Sequence, residues 1–454
     1  MSNLKKCLLV LFAAFVLFSL GAADKHRLKV SLNKPNGIYT KGDTVELKIE
    51  YFLNRKPAKC PVNIVMVFPD GSRKEQFFAE FCPKFTYVAD KSPFSVQFTV
   101  TATTPDRKPL TTFIGKTKVN VKGNAGIMVD PHLLKPGFTE PADFDKFWND
   151  SKAQLAAIPI RELERKEVPV TNEMLKTAPS FFAFKMPQKI KTPTALEGRF
   201  KSYDVKVACL GAPVSGYLTI PVNAAPKSLP VIVSFHGAPG GSARQAFVDG
   251  AIRFDVNPHG FENGHPRAYY KQKFQTTHRA YQFRNRFDRN KFYLRGMYLR
   301  VKRALDYVKT LPEYDGKNLI VVGNSQGGAQ ALIAGGIDPD VKLIYAAVAA
   351  FCDHGGALAG RQPGWPKLLN PGAGKIVKGK EMEVAYFDAA FFARRIKAEI
   401  YMTVGLMDVI CSPTSVFCAY NNIPGKKHIT ILPHHGHSRT YSLEFNKRVQ
   451  EVVK

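Results

Sequence analysis

The sequence predicts an α/β protein built on a doubly wound, mostly parallel sheet, preceded by a small all-β sandwich of the immunoglobulin-like kind. Three observations predict it. The length, 454 residues, exceeds one typical domain. Short β-rich runs separated by turn signals fill residues 24–123. From about residue 200 onward, apolar runs of the buried-strand type alternate with helical patterns.

Taken in order, the chain opens on a segment that is not part of either fold. Lys5 and Lys6 precede the apolar run Leu8–Leu20, and Gly21, Ala22 and Ala23 follow it. A basic start, a short apolar stretch and small residues are the pattern of a secretory signal peptide over residues 1–23. The apolar run is too short for the roughly 20 residues that span a bilayer. The expected location is therefore exported, periplasmic or extracellular, with no membrane span after cleavage. Cys7 lies before the apolar run, which does not suggest a lipoprotein cleavage site.

The sandwich, residues 24–123, is read from Leu28–Leu32, Thr44–Tyr51, Val62–Phe68, Phe94–Thr101 and Thr117–Val121. Lys41-Gly42-Asp43 and Pro69-Asp70-Gly71 mark turns between them. No catalytic constellation falls in this region; binding, spacing or covering a site are all open to it. Lys122-Gly123-Asn124-Ala125-Gly126 reads as a linker. The second unit, 126–454, begins with a helix after Asp143, a plausible N-cap. Its strands are read at Val231–Phe235, Leu319–Val322, Leu343–Ala349, Ile400–Val404 and His428–Leu432, and its helices at Tyr298–Lys309 and Gln326–Ala334.

Composition narrows the class. A hydrophobic fraction of 45% and a charged fraction of 22% suit a folded globular chain, not a disordered one. The net charge is +28, or +26 without Lys5 and Lys6. Basic residues are scattered and no nucleic-acid motif occurs, so nucleic acid is not an expected partner. Six cysteines remain after Cys7, and export permits disulfides. Cys60 and Cys82 are the best candidate pair; Cys209, Cys352, Cys411 and Cys418 lack metal-ligand spacing and read as buried apolar residues.

The chemistry centres on Gly323-Asn324-Ser325-Gln326-Gly327, a G-x-S-x-G between an apolar strand and a helical stretch. That context is the strand–turn–helix of a nucleophile elbow. Serine needs a base, and the base an orienting acid, in the chain order Ser, Asp, His. Asp408 follows a strand end at Val404-Gly405-Leu406-Met407, and Pro433-His434-His435-Gly436-His437 follows the next strand. His437 is the expected base, Asp408 the acid and Ser325 the nucleophile. The three histidines lack the acidic partner of a metal motif, so no metal is expected. The amides of Gln326 and Ala238 are the expected oxyanion donors, the latter from His236-Gly237-Ala238-Pro239 after a strand. His236 reads as a brace for that loop, and Pro239 has no N–H to offer.

These residues carry a resemblance. Asp143-Phe144-Asp145-Lys146-Phe147-Trp148, His236-Gly237, Arg295-Gly296-Met297-Tyr298-Leu299 with Arg303-Ala304-Leu305, Gly323–Gly328, Gly405–Cys411 and Gly436-His437 appear in the right order. Over residues 126–454 the chain resembles the acetyl xylan esterase and cephalosporin C deacetylase family of α/β-hydrolases. The resemblance implies a serine esterase removing acetyl groups from acetylated saccharides, xylan or xylo-oligosaccharides, without a cofactor. It assigns the triad and oxyanion roles to the same five residues, and it implies a homo-oligomer with sites facing an interior. Three positions depart from the family: Pro258-His259-Gly260 where Arg-Gly-Gln is usual, Ala238 where Tyr is common, and Ser438 where Glu is common. All three bear on pocket shape. The competing expectations are a broader carboxylesterase or peptidase of the same fold, and a non-catalytic envelope glycan-binding protein.

Overall fold

The structure, a computed structural model, describes residues 25–176, 195–370, 376–438 and 442–453. The expected signal peptide, 1–23, lies outside them. Among the described residues no helix is long and apolar enough to cross a membrane.

The N-terminal unit is a sandwich of eleven strands: β1 (His26–Leu32), β2 (Ile38–Tyr39), β3 (Thr44–Leu53), β4 (Lys56–Ala58), β5 (Val62–Val67), β6 (Arg73–Phe78), β7 (Lys84–Val88), β8 (Phe94–Ala102), β9 (Thr111–Ile114), β10 (Thr117–Asn120) and β11 (Lys122–Val129). One sheet joins β1, β3 and β4, with β7 on β3; the other runs β2-β11-β8-β5-β6, and β9 and β10 form a separate hairpin. Alternation builds the core: Val45, Leu47 and Ile49 of β3 point inward, as do Val62, Ile64 and Met66 of β5. They meet Val96, Phe98, Val100, Ile127 and Val129 from β8 and β11.

Two expectations are corrected here. Residues 122–126, read as a linker, are the first part of β11, paired along its length with β8. Their glycines serve close packing instead of chain reversal: a Cβ on Gly123 would sit 2.5 Å from Val30 Cγ2. Nor are Cys60 and Cys82 bridged; both thiols are free. Cys82 Sγ turns onto the Lys84 carbonyl at 3.2 Å, and Cys60 is buried beside the Thr103 backbone.

The second unit is a nine-stranded α/β sheet. Helix α1 (Phe144–Ala156) leads to β12 (Glu162–Val168), β13 (Phe200–Val207), β14 (Val214–Pro221), β15 (Leu229–Phe235) and β16 (Ile252–Asn257). Then come α2 (Arg267–Gln275), α3 (Tyr293–Val308), β17 (Tyr314–Asn324), α4 (Gln326–Ile337), β18 (Val341–Ala347), α5 (Ala389–Ala393), β19 (Glu399–Gly405), α6 (Pro413–Asn422), β20 (Lys427–Leu432) and α7 (Leu443–Val452). The order is β12-β13-β14-β16-β15-β17-β18-β19-β20. The strands from β16 to β20 are mutually parallel, and β12, β13 and β14 extend the sheet antiparallel. This is the doubly wound architecture read from the sequence, with an antiparallel extension on one side.

Burial on both faces explains why the central strands read as unbroken apolar runs. On one face Val231, Val233, Leu319 and Val321 pack under α3 and α4. On the other, Ile232, Ile320, Val322 and Tyr345 meet Phe445 and Val449 of α7. Asp143 does occupy the N-cap position of α1, yet its carboxylate makes no cap bond; it accepts from the Tyr386 hydroxyl and from Arg289.

Candidate active site

Ser325 stands between β17 and α4, at the carboxyl edge of the sheet. Its φ is 55° and its ψ −120°, a strained backbone for a residue with a Cβ. The neighbouring glycines make this turn possible. A Cβ on Gly323 would lie 2.1 Å from the Gly327 carbonyl oxygen, and one on Gly327 would lie 2.1 Å from that of Phe235. The turn is locked by backbone bonds: the Ser325 N–H donates to the Ala347 carbonyl at 2.9 Å, and its own carbonyl accepts from Ala350 at 3.0 Å.

Asp408 and His437 arrive from the carboxyl ends of two neighbouring strands. Asp408 lies three residues past β19, and His437 five past β20. The His437 Nε2 is 2.9 Å from the Ser325 Oγ, and its Nδ1 is 2.7 Å from Asp408 Oδ2. Asp408 is 1% exposed, and its other oxygen accepts from the backbone N–H groups of Ile410 (2.8 Å) and Cys411 (3.0 Å). Those two bonds fix the carboxylate plane, which in turn fixes His437 with Nδ1–H toward Asp408 and Nε2 as acceptor toward Ser325. Of the other two histidines, His434 points its Nδ1 at the Asn124 carbonyl (2.7 Å) and His435 is exposed.

The fourth group at this point is Cys411, whose thiol falls within 4.8 Å of the Asp408 and His437 ligand atoms. A metal reading does not fit it. Burial, first among several causes, pushes the thiol pKa up. Asp408 and His437 are already committed to each other.

The loop after β15 runs beside the serine. A Cβ on Gly237 would come 3.8 Å from Ser325 Cβ, which puts the 237–238 backbone next to Ser325. Gln326, as the first residue of α4, has an N–H without an intrahelical acceptor. His236 hydrogen-bonds through Nε2 to the buried Asp255, which also takes the Ser234 hydroxyl and the Arg244 N–H. The loop is therefore tied down from its strand end.

Two buried residues brace this loop from behind: His259, in the segment noted above as a departure, and Tyr281, which sequence reasoning passed over. His259 is 2% exposed and follows β16 by two residues. Its Nε2 lies 2.6 Å from the Pro239 carbonyl, which can only accept, so Nε2 carries the proton; Nδ1 then accepts from Tyr293 at 2.7 Å. Tyr281 stacks edge-on against His259 at 4.6 Å and donates its hydroxyl to Gln326 Oε1. Together they join the 238–239 loop to Gln326. No local sequence signal marks Tyr281, because the contact spans 45 residues.

Burial, with the Arg300 cation adding to it, holds the His259 imidazole well below its usual pKa. The unfolded chain binds a proton there below about pH 6.5, and the folded chain only at lower pH. Stability contributed by neutral His259 is thus present above that pH and lost as pH falls. His259→Gln keeps a donor but cannot titrate. It is expected to lose less stability than wild type between pH 7 and pH 5, because one protonation that favours the unfolded chain is removed. Denaturant titrations at the two pH values check this.

Comparison with known proteins agrees with the geometry. A family model described as acetyl xylan esterase (AXE1) matches residues 191–452. An acetyl esterase, Axe7A, of Xylanibacter ruminicola is 32% identical over 333 residues, covering 70% of this chain and 68% of that protein. Among solved structures, the acetyl xylan esterase of Paenibacillus sp. R4 superposes with a TM-score of 0.52 at 25% identity, covering 71% of this chain and 96% of its own. Acetyl xylan esterase 1 of Thermoanaerobacterium sp. JW/SL YS485 gives a TM-score of 0.50 at 20% identity with the same coverage, which bears on the fold. The chain belongs to the acetyl xylan esterase family, and is a serine-dependent carboxylic ester hydrolase of the α/β-hydrolase fold.

Proposed function

We propose that the chain deacetylates xylan or xylo-oligosaccharides through an acetyl-enzyme on Ser325, after export and removal of residues 1–23. The observation that carries the reading is the unbroken Ser325–His437–Asp408 chain at 2.9 and 2.7 Å beside the 237–238 amides. His437 Nε2 takes the Ser325 proton as Oγ bonds to the acetyl carbonyl carbon. The carbonyl oxygen gains negative charge, and the N–H groups of Ala238 and Gln326 receive it. Asp408 stabilises the imidazolium and keeps its tautomer. The bond to the sugar oxygen breaks, and that oxygen takes the proton from His437. Water then attacks the acetyl-serine, giving its proton to His437; acetate leaves and the serine recovers its hydrogen. No cofactor enters the scheme.

A substrate panel tests it. Acetate release from acetylated xylan and xylo-oligosaccharides should exceed hydrolysis of longer acyl esters, each added methylene costing about tenfold or more in kcat/KM if the pocket is built for acetyl. Equal rates on long-chain esters would make the protein a broad carboxylesterase, and cleavage of peptides would make it a peptidase. Absence of any turnover by folded protein would favour a glycan-binding role.

A further inference from the structure

The N-terminal sandwich lies outside the residues matched by the family model, and nothing in that match gives it a task. Its β8–β11 pair lies against both loops that carry the proposed acid and base. The alternation of the two strands produces this. On β8, Val96, Phe98 and Val100 fill the sandwich core, which leaves Gln97 on the opposite face; on β11, Ala125, Ile127 and Val129 do the same, leaving Gly126 and Met128. Gln97 and Gly126 are direct cross-strand partners. Met128 joins the core of the α/β unit.

Four hydrogen bonds run to the two loops, two from Gln97 on this outer face and two from the backbone edge of β11. The Gln97 amide nitrogen donates to the carbonyls of Leu406 (2.9 Å) and Asp408 (3.3 Å). Both partners are acceptors, so only the nitrogen end of the amide fits there. The Gly126 N–H donates to the Pro433 carbonyl at 2.7 Å, and the Asn124 carbonyl accepts from His434 Nδ1 at 2.7 Å. Leu406 and Asp408 belong to the acid loop, and Pro433 and His434 lead to His437. The fit is close: a Cβ on Gly126 would meet the Leu406 carbonyl oxygen at 2.4 Å. A second bridge reaches the end of the acid loop, where the Gln362 N–H donates to Pro69 at 2.6 Å and the Gln362 carbonyl accepts from the Ser412 hydroxyl at 2.7 Å.

We infer that the sandwich is a positioning element of the active site, with Gln97 as the residue that registers the Asp408 loop against the His437 loop. The inference rests on the triad reading above. Each loop is a short excursion from a sheet strand, and among the described residues β20 is the edge strand. Proton transfer tolerates displacements of only a fraction of an ångström, and a 1 Å error can cost on the order of 10²-fold in rate. Bonds to the backbone of Leu406, Asp408 and Pro433 hold the two loops at a common distance without touching substrate.

The test is a double-mutant cycle in the full chain. Gln97→Met keeps the length of the side chain and removes the donor; Gly126→Ala pushes on Leu406 from the same face. Each is made in the wild type and in Asp408→Asn, with kcat and KM on an acetyl ester and a thermal melt. Expected in the wild-type background is a kcat loss of about tenfold with KM within about twofold, and in Asp408→Asn a further loss below about twofold. A wild-type kcat in both variants overturns the inference. So does an equal fold-loss in both backgrounds, or a loss seen only where the melting temperature collapses. If Asp408→Asn itself retains wild-type activity, the triad reading fails instead, and the two failures are told apart.

Discussion

Ser325→Ala is expected to lower kcat on acetyl esters by on the order of 10⁴- to 10⁶-fold while leaving the folded protein intact. The size follows from what the substitution removes. Without Oγ no acetyl-enzyme forms, and His437 has no hydroxyl to deprotonate at 2.9 Å. What survives is substrate binding and the two amides, which still stabilise an oxyanion raised by direct water attack. Stability should change little. Alanine keeps the Cβ that Ser325 already carries at φ 55°, and the backbone bonds to Ala347 and Ala350 do not involve the side chain. Steady-state kinetics with a thermal melt as control checks both parts. A retained rate would remove Ser325 from the mechanism.

Asp408→Asn should cost about 10³- to 10⁴-fold in kcat, through a proton in the wrong place. The Asp408 carboxylate accepts from Ile410 N–H and Cys411 N–H on one oxygen and from His437 on the other. An asparagine must keep its carbonyl toward the two amides, so its NH₂ faces His437 Nδ1. That nitrogen then has to accept, and the ring proton moves to Nε2, facing Ser325 as a donor. The base is lost although every heavy atom stays in place. KM should move little, because Asp408 is 1% exposed and meets no substrate. Measuring kcat and KM separately distinguishes this from a damaged pocket.

The sequence showed most clearly where local physics repeats. Leu319–Val322 reads as a buried strand because β17 is covered on both faces, and Gly323, Ser325 and Gly327 read as a tight turn because only glycine tolerates the contacts there. Two edge strands, β6 and β12, were invisible for the opposite reason. β6 (RKEQFF) and β12 (ELERKEV) expose most of both faces, so no apolar period marks them. The segment 122–126 misled because two glycines look like flexibility in a sequence, whereas Gly123 and Gly126 are small so that Val30 and Leu406 can approach. Gln97 was silent altogether: its partners lie about 310 residues away, and nothing local distinguishes it from any solvent-facing strand residue. The roles of His259 and Tyr281 depend on contacts of the same long-range kind.

The most direct measurement is covalent labelling of the wild-type chain with a fluorophosphonate, followed by peptide mass spectrometry. The probe reacts with a serine only where a neighbouring base raises its nucleophilicity and amides receive the charged oxygen. The adduct is expected on the peptide containing Ser325. A folded protein that stays unlabelled, or one labelled at a different serine, would contradict the assignment.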